Sequence, residues 1–134
     1  MGESYQIATM AAVRKLSLWG PVAAWCLLIF AFSSIPDLSF GLQCDFPLRK
    51  AGHMAEYGVL FALVRRARAG SSARPAPAAW GAAAFALLYA VSDEWHQSFV
   101  PGRRGAAADV AIDMMGVILW RVLEALRGRV ARRA

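Results

Sequence analysis

The sequence predicts an all-α protein, an integral membrane bundle of four transmembrane helices. Of its 134 residues, 58% are apolar, and the mean hydropathy is positive at +0.41. Apolar residues gather in four stretches, 16–34, 51–64, 78–91 and 106–123. With its polar shoulders each approaches the ~20 helical residues that cross ~30 Å of hydrocarbon.

The first stretch follows Arg14 and Lys15 and is too uniformly apolar for an amphipathic surface helix. A basic pair, an apolar core and the small residues of AFSS also describe a cleaved signal peptide, but three more apolar segments follow, which suits an uncleaved anchor better. The second stretch, 51–64, is short enough to be a buried helix of a soluble protein, and the uniformly apolar first and third stretches weigh against that reading. In the third, Ala78, Ala82, Ala86 and Ala90 recur every fourth residue and predict a small-residue stripe for close helix contact. The fourth opens with AAADVAIDMMG and ends before a basic tail. The expected organisation is a cytoplasmic N-terminal tail over 1–15, a membrane domain over 16–123 and a basic cytoplasmic C-terminal tail over 124–134. Met10 is as natural a start as Met1, and no function is assigned to the leading segment.

The net charge of +6 does not indicate nucleic acid, because the basic residues lie in short groups beside apolar runs, with no basic helix or RNA-type motif. They indicate orientation. Arg14 and Lys15, then Arg65, Arg66, Arg68 and Arg74, then Arg121, Arg127, Arg129, Arg132 and Arg133 mark three regions as cytoplasmic by the positive-inside bias. The predicted setting is a bacterial cytoplasmic membrane, with several passes and both termini inside. Arg49, Lys50, Arg103 and Arg104 run against the bias but have acidic neighbours in Asp45, Glu94 and Asp109. Trp19, Trp80 and Trp120 fall near the inner ends and Trp95 near an outer end, as interfacial aromatics do. Cys26 and Cys44 sit at different depths, and no disulfide framework or metal-type cysteine spacing is present.

In this topology every ionisable residue within the spans lies in the outer half. Helical spacing places His53, Glu56 and Tyr57 on one face of the second helix. Tyr89, Asp93 and Gln97 form a row on the third, with Ser92 and His96 beside it, and Asp109, Asp113 and Gly116 form a row on the fourth. The expected object is a polar pocket opening outward from a tight bundle.

FSSIPD, KAGHMAEYG and SDEWHQSFVPGRRGAAADVAIDMMG, in that order, resemble the VanZ family of small bacterial membrane proteins, named after an accessory determinant of resistance to the glycopeptide teicoplanin. The likeness spans roughly 16–120. Its pattern matches at Lys50, His53, Glu56 and Tyr57, at Asp93, Glu94, His96, Gln97, Phe99, Pro101, Gly102 and Arg103, and at Asp109 and Gly116. Two departures are Asp113, where the family has Asn, and Trp120, where it has a small residue. The resemblance implies a link to envelope-targeting antibiotics and carries no agreed reaction.

The chemistry leaves several readings. Five carboxylates and two histidines in one layer exceed what a purely structural polar network needs. His53 with Glu56, and His96 with Asp93, are paired at the spacing used by metal-binding bundles, yet no HExxH or cysteine motif supports a metal. No metal and no cofactor are expected. The candidates for acid–base work are His53, Glu56, Asp93, Glu94, His96 and Asp109, and those for ligand binding are Lys50, Tyr57, Gln97, Arg103 and Asp113. Ser33, Ser34, Ser92 and Ser98 lie in no GxSxG elbow, and no P-loop or dinucleotide fingerprint appears. The expected partners are membrane lipids and a cell-wall precursor or glycopeptide. Binding is favoured over a membrane hydrolase or transferase acting on a lipid phosphate. Arg103 is expected to pair directly with Asp93, Glu94 or Asp109, and Arg104 to face water or head groups.

Overall fold

The computed structural model describes residues 2–36, 45–71, 78–103 and 105–131. Cys44, Arg74, Arg104, Arg132 and Arg133, named above, lie outside them. The described residues form four helices and no strand: α1 Gly2–Ser33, α2 Asp45–Ser71, α3 Ala78–Gln97 and α4 Ala107–Val130. α1 thus runs through the segment expected as an N-terminal tail. Among the described residues only α1, over Tyr5–Ser33, is long and apolar enough by composition to cross a membrane. Each of the other three carries polar residues of the site or a basic end within its length, which lowers its hydropathy.

Side-chain contacts fix the helix directions. Arg14 donates to the Gly70 carbonyl and Trp25 to the Glu56 carbonyl, so α1 and α2 are antiparallel. Lys50 meets Asp109 and Arg65 meets Glu124, so α2 and α4 run parallel. The Tyr89 hydroxyl donates to the Cys26 carbonyl at 2.6 Å, and Ser34 meets His96 at 3.1 Å, so α1 and α3 run parallel. The result is an up-down-up-down bundle in which α2 packs on all three partners and most extensively on α4.

The core follows from spacing on α2, where Tyr57, Leu60, Phe61, Val64 and Ala67 recur at three and four residues and are all buried. Ala82, Ala86 and Ala90 are fully buried against this cluster, as the alanine stripe predicts. α4 closes on α2 through glycines. A Cβ on Gly116 would overlap the Met54 carbonyl, and one on Gly58 would lie 3.1 Å from the Gly116 carbonyl oxygen. The chain reverses between α3 and α4 at Pro101-Gly102. Gly102 adopts φ 77° and the Arg103 amide donates to Val100 O at 3.1 Å, a type II turn. Gly105 is required next to it, because any side chain there would collide with the Glu94 carbonyl.

Large apolar side chains face outward on α1, α3 and α4. Leu27, Leu88 and Ile118 are 68%, 71% and 61% exposed, and Phe85, Val91, Leu119 and Val122 lie outside as well. So wide an apolar exterior is not the surface of a soluble monomer.

Candidate functional site

The C-terminal ends of α1 and α3 and the N-terminal ends of α2 and α4 meet at one end of the bundle, and the polar residues gather there. A cavity of about 330 Å³ opens among Ile29, Phe32 and Ser33 of α1, Leu48, Arg49, Gly52, His53 and Glu56 of α2, Asp93 of α3, and Arg103 of the following loop. α1 and Leu48 give it an apolar wall; the charges stand on the other side.

Arg103 organises the rim. Its Nε donates to the Ile35 carbonyl at 3.0 Å and its Nη2 to the Phe32 carbonyl at 2.9 Å, while Nη1 donates to Gln97 Oε1 at 3.1 Å. The Gln97 amide passes the contact on to Asp93 Oδ2 at 2.9 Å. The expected direct pairing of Arg103 with Asp93, Glu94 or Asp109 is therefore corrected: among the described residues the arginine reaches a carboxylate only through Gln97. The reason is local, since the backbone leaves the helical ladder at the end of α1, where Phe32 O takes only the Ile35 amide at 3.3 Å, and a guanidinium fork can reach the Phe32 and Ile35 carbonyls at once. Burial pushes the guanidinium below its ordinary value, and the nearby Asp93 carboxylate works against that shift.

The other carboxylates have their own partners. Asp109 pairs with Lys50, both half-buried. Glu94 is 5% exposed and its Oε2 accepts from the Ala106 amide at 2.9 Å, so an acid of α3 holds the residue that leads into α4. Asp113 is fully buried with its Oδ1 3.3 Å from His53 Nδ1. Tyr57 lies beneath the layer in the core, and its buried hydroxyl has no hydrogen-bond partner among the described residues.

His96 stands apart from this group. It turns to α1, where its ring packs on Phe30 with centroids 4.5 Å apart and its Nε2 meets Ser34 Oγ at 3.1 Å. The pair looks like a nucleophile and its base, but the Ser34 hydroxyl already donates to the Phe30 carbonyl at 2.7 Å. Its single proton is directed to the backbone and away from the imidazole. Ser33 lines the cavity and its hydroxyl likewise donates to Phe30 O, at 3.2 Å. Of the sequence candidates, then, His53, Glu56, Asp93 and Arg103 line the cavity; Gln97, Glu94, Asp113 and Tyr57 support it; Lys50 and Asp109 close one side; His96 faces α1.

Arg49 and Gly52 were missed as lining residues, although 49, 52, 53 and 56 fall on one helical face and periodicity alone could have found them. The apolar wall of Ile29 and Phe32 has no such signal, since neither differs in type from its membrane-segment neighbours.

Comparison with known proteins is consistent with the motifs. No curated protein matches the chain, and no solved structure does. A family model described as VanZ/LLP1 matches residues 4–126, nearly the whole chain and every helix that builds the cavity, and the protein therefore belongs to the VanZ/LLP1 family.

Proposed function

We propose that the chain is a four-span protein of the bacterial cytoplasmic membrane, with both termini inside, whose cavity faces outward and binds the head group of an envelope component. The observation that carries this reading is the cavity itself: one apolar wall and one charged wall, at the polar end of a bundle with an apolar exterior. An amphiphile presents the same two chemistries. The side facing lipid would be the outward Leu, Phe and Val side chains, while the polar residues of α2, α3 and α4 turn inward, as ionisable groups in membrane helices do. On α3, Trp80 and Trp95 are both exposed and roughly 22 Å apart along the helix, bracketing the apolar face as interfacial aromatics.

The cavity offers Arg103 and Arg49 beside Glu56 and Asp93. That mixture suits a head group carrying phosphate together with amine or hydroxyl donors, such as a lipid-linked cell-wall precursor, or a cationic glycopeptide. Binding is preferred to hydrolysis or transfer because the serines nearest the cavity direct their hydroxyl protons to Phe30. A purely structural network is disfavoured because it would leave no cavity and no buried carboxylate oxygen unmatched. The role in glycopeptide susceptibility follows from family membership.

Gly52 gives the test. It lines the cavity and a Cβ there meets nothing within 4 Å, so Gly52→Leu fills the space without disturbing a charge. Protein extracted with native lipid and analysed by native mass spectrometry is expected to retain one intact phosphate-bearing amphiphile, or added teicoplanin, in wild type. Gly52→Leu should lose it, along with any teicoplanin phenotype, at unchanged thermal stability. Equal retention by both proteins would overturn the cavity as the binding site.

A further inference from the structure

We propose that His53, Glu94 and Asp113 hold a divalent transition cation that ties α2, α3 and α4 together at the inner wall of the cavity. One ligand atom from each residue lies within 4.8 Å of the others. With metal–ligand bonds of ~2.1 Å, donors on opposite sides of an ion stand roughly 4 Å apart, so small side-chain adjustments close the set. The three donors come from three helices, unlike the same-helix pairs that sequence spacing offers.

A second observation points to the ion independently. Asp113 is 0% exposed and neither carboxylate oxygen has a hydrogen-bond partner among the described residues, the closest approach being the 3.3 Å contact to His53. Glu94 is 5% exposed, and while Oε2 takes the Ala106 amide, Oε1 is left unmatched. Two nearby cations are directed elsewhere, Lys50 to Asp109 and Arg103 to Gln97 and two carbonyls. A protonated His53 would offset one carboxylate charge. A dication offsets both, and buried carboxylates without compensation are strongly disfavoured.

The donor set selects the ion. One imidazole nitrogen with two carboxylates suits Mn²⁺ or Zn²⁺ better than Mg²⁺ or Ca²⁺, which prefer all-oxygen shells, and excludes the thiolate-seeking ions. The amide held by Glu94 Oε2 supplies the outer-shell contact that orients a ligating carboxylate. The proposal is independent of which head group the cavity holds.

The experiment uses the full chain, free of any affinity tag, in detergent after chelation, titrated with Mn²⁺, Zn²⁺ and Mg²⁺ separately by calorimetry. Expected are one equivalent of Mn²⁺ or Zn²⁺ per chain, much weaker Mg²⁺, and binding weakened at least tenfold by Glu94→Gln and by Asp113→Asn. His96→Ala, on the α1 side, should bind as wild type. Pulsed EPR of Mn²⁺ on the wild-type protein should show coupling to one imidazole nitrogen, a readout that needs no variant to fold. No stoichiometric uptake of any ion, uptake that survives both carboxylate variants, loss of binding in His96→Ala, or Mn²⁺ without nitrogen coupling would each overturn the site.

Discussion

The two ends of the bundle carry charge in opposite ways. At the cavity end, charged and polar side chains turn inward: Asp93, Glu94, Gln97 and Asp113 are buried, Asp93 accepting from Gln97 of its own helix and Glu94 from the Ala106 amide. At the opposite end the arginines turn outward. Arg65 and Arg121 remain 42% and 50% exposed even while contacting Glu124, and Arg66, Arg68, Arg127 and Arg129 face outside. α2 and α4 contribute to both ends, so the difference does not come from which helices carry the charge. It comes from where glycine and alanine let helices close around a charge, and from carboxylates that outnumber nearby cations only at the cavity end. Inward charge lines the cavity, and outward charge would set orientation under the topology proposed above.

The sharpest way to break that distinction is to force the helices apart at the closed end. A methyl group on Gly116 meets the Met54 carbonyl, which is helix backbone and cannot rotate away, so Gly116→Ala must displace α4 from α2. Overpacking of this kind costs about 1 to 3 kcal/mol or more, and the displacement also pulls Asp113 from His53. Gly52→Ala, where a Cβ meets nothing within 4 Å, should be neutral or slightly stabilising through helix propensity. Thermal unfolding in detergent measures both. Equal effects would mean that the seam is loose and the inward burial is not enforced by glycine.

Arg103 and Arg121 sharpen the comparison next. Arg103→Ala removes three hydrogen bonds and releases the turn from the end of α1, with an expected loss of about 2 to 3 kcal/mol, whereas Arg121→Ala should cost about 1 kcal/mol or less. Arg103→Lys should rescue poorly, because one ammonium cannot serve three divergent acceptors. Thermal shift resolves the ranking. A small effect of Arg103→Ala, matching that of Arg121→Ala, would show that its bonds merely replace water.

These two tests also mark what was legible in the sequence. The four helices, the alanine stripe, the Pro101-Gly102 turn and the gathering of polar residues at one end all followed from local spacing, which is a property of a single segment. The partners did not. That Glu94 holds the Ala106 amide, that Arg103 serves the carbonyls of Phe32 and Ile35, and that His96 packs on α1 depend on helix rotation and on how closely helices approach. Charge type alone suggested the shortest electrostatic story, Arg103 on a carboxylate. Backbone carbonyls at the end of α1, invisible as letters, competed for the same guanidinium and won.

The smallest expected effect concerns two ion pairs that tie the same two helices, Lys50–Asp109 at the cavity end and Arg65–Glu124 at the other. Lys50 and Asp109 are 23% and 21% exposed, against 42% and 22% for Arg65 and Glu124. Coulomb attraction grows as water is excluded, and salt screens exposed charges most. Arg65–Glu124 is also diluted, since Glu124 divides its oxygens among Arg65, Arg121 and the Trp120 indole, so losing one partner leaves others in place. Double-mutant cycles with Lys50→Met and Asp109→Asn, and with Arg65→Met and Glu124→Gln, should give a coupling of about 1 kcal/mol or more for the first pair and about 0.5 kcal/mol or less for the second. Repeating both at high ionic strength should erase the second coupling and leave most of the first. Should the two couplings match in size and salt response, burial would not distinguish the ends of the bundle, and the contrast between an inward, site-forming charge layer and an outward, orienting one would reduce to composition.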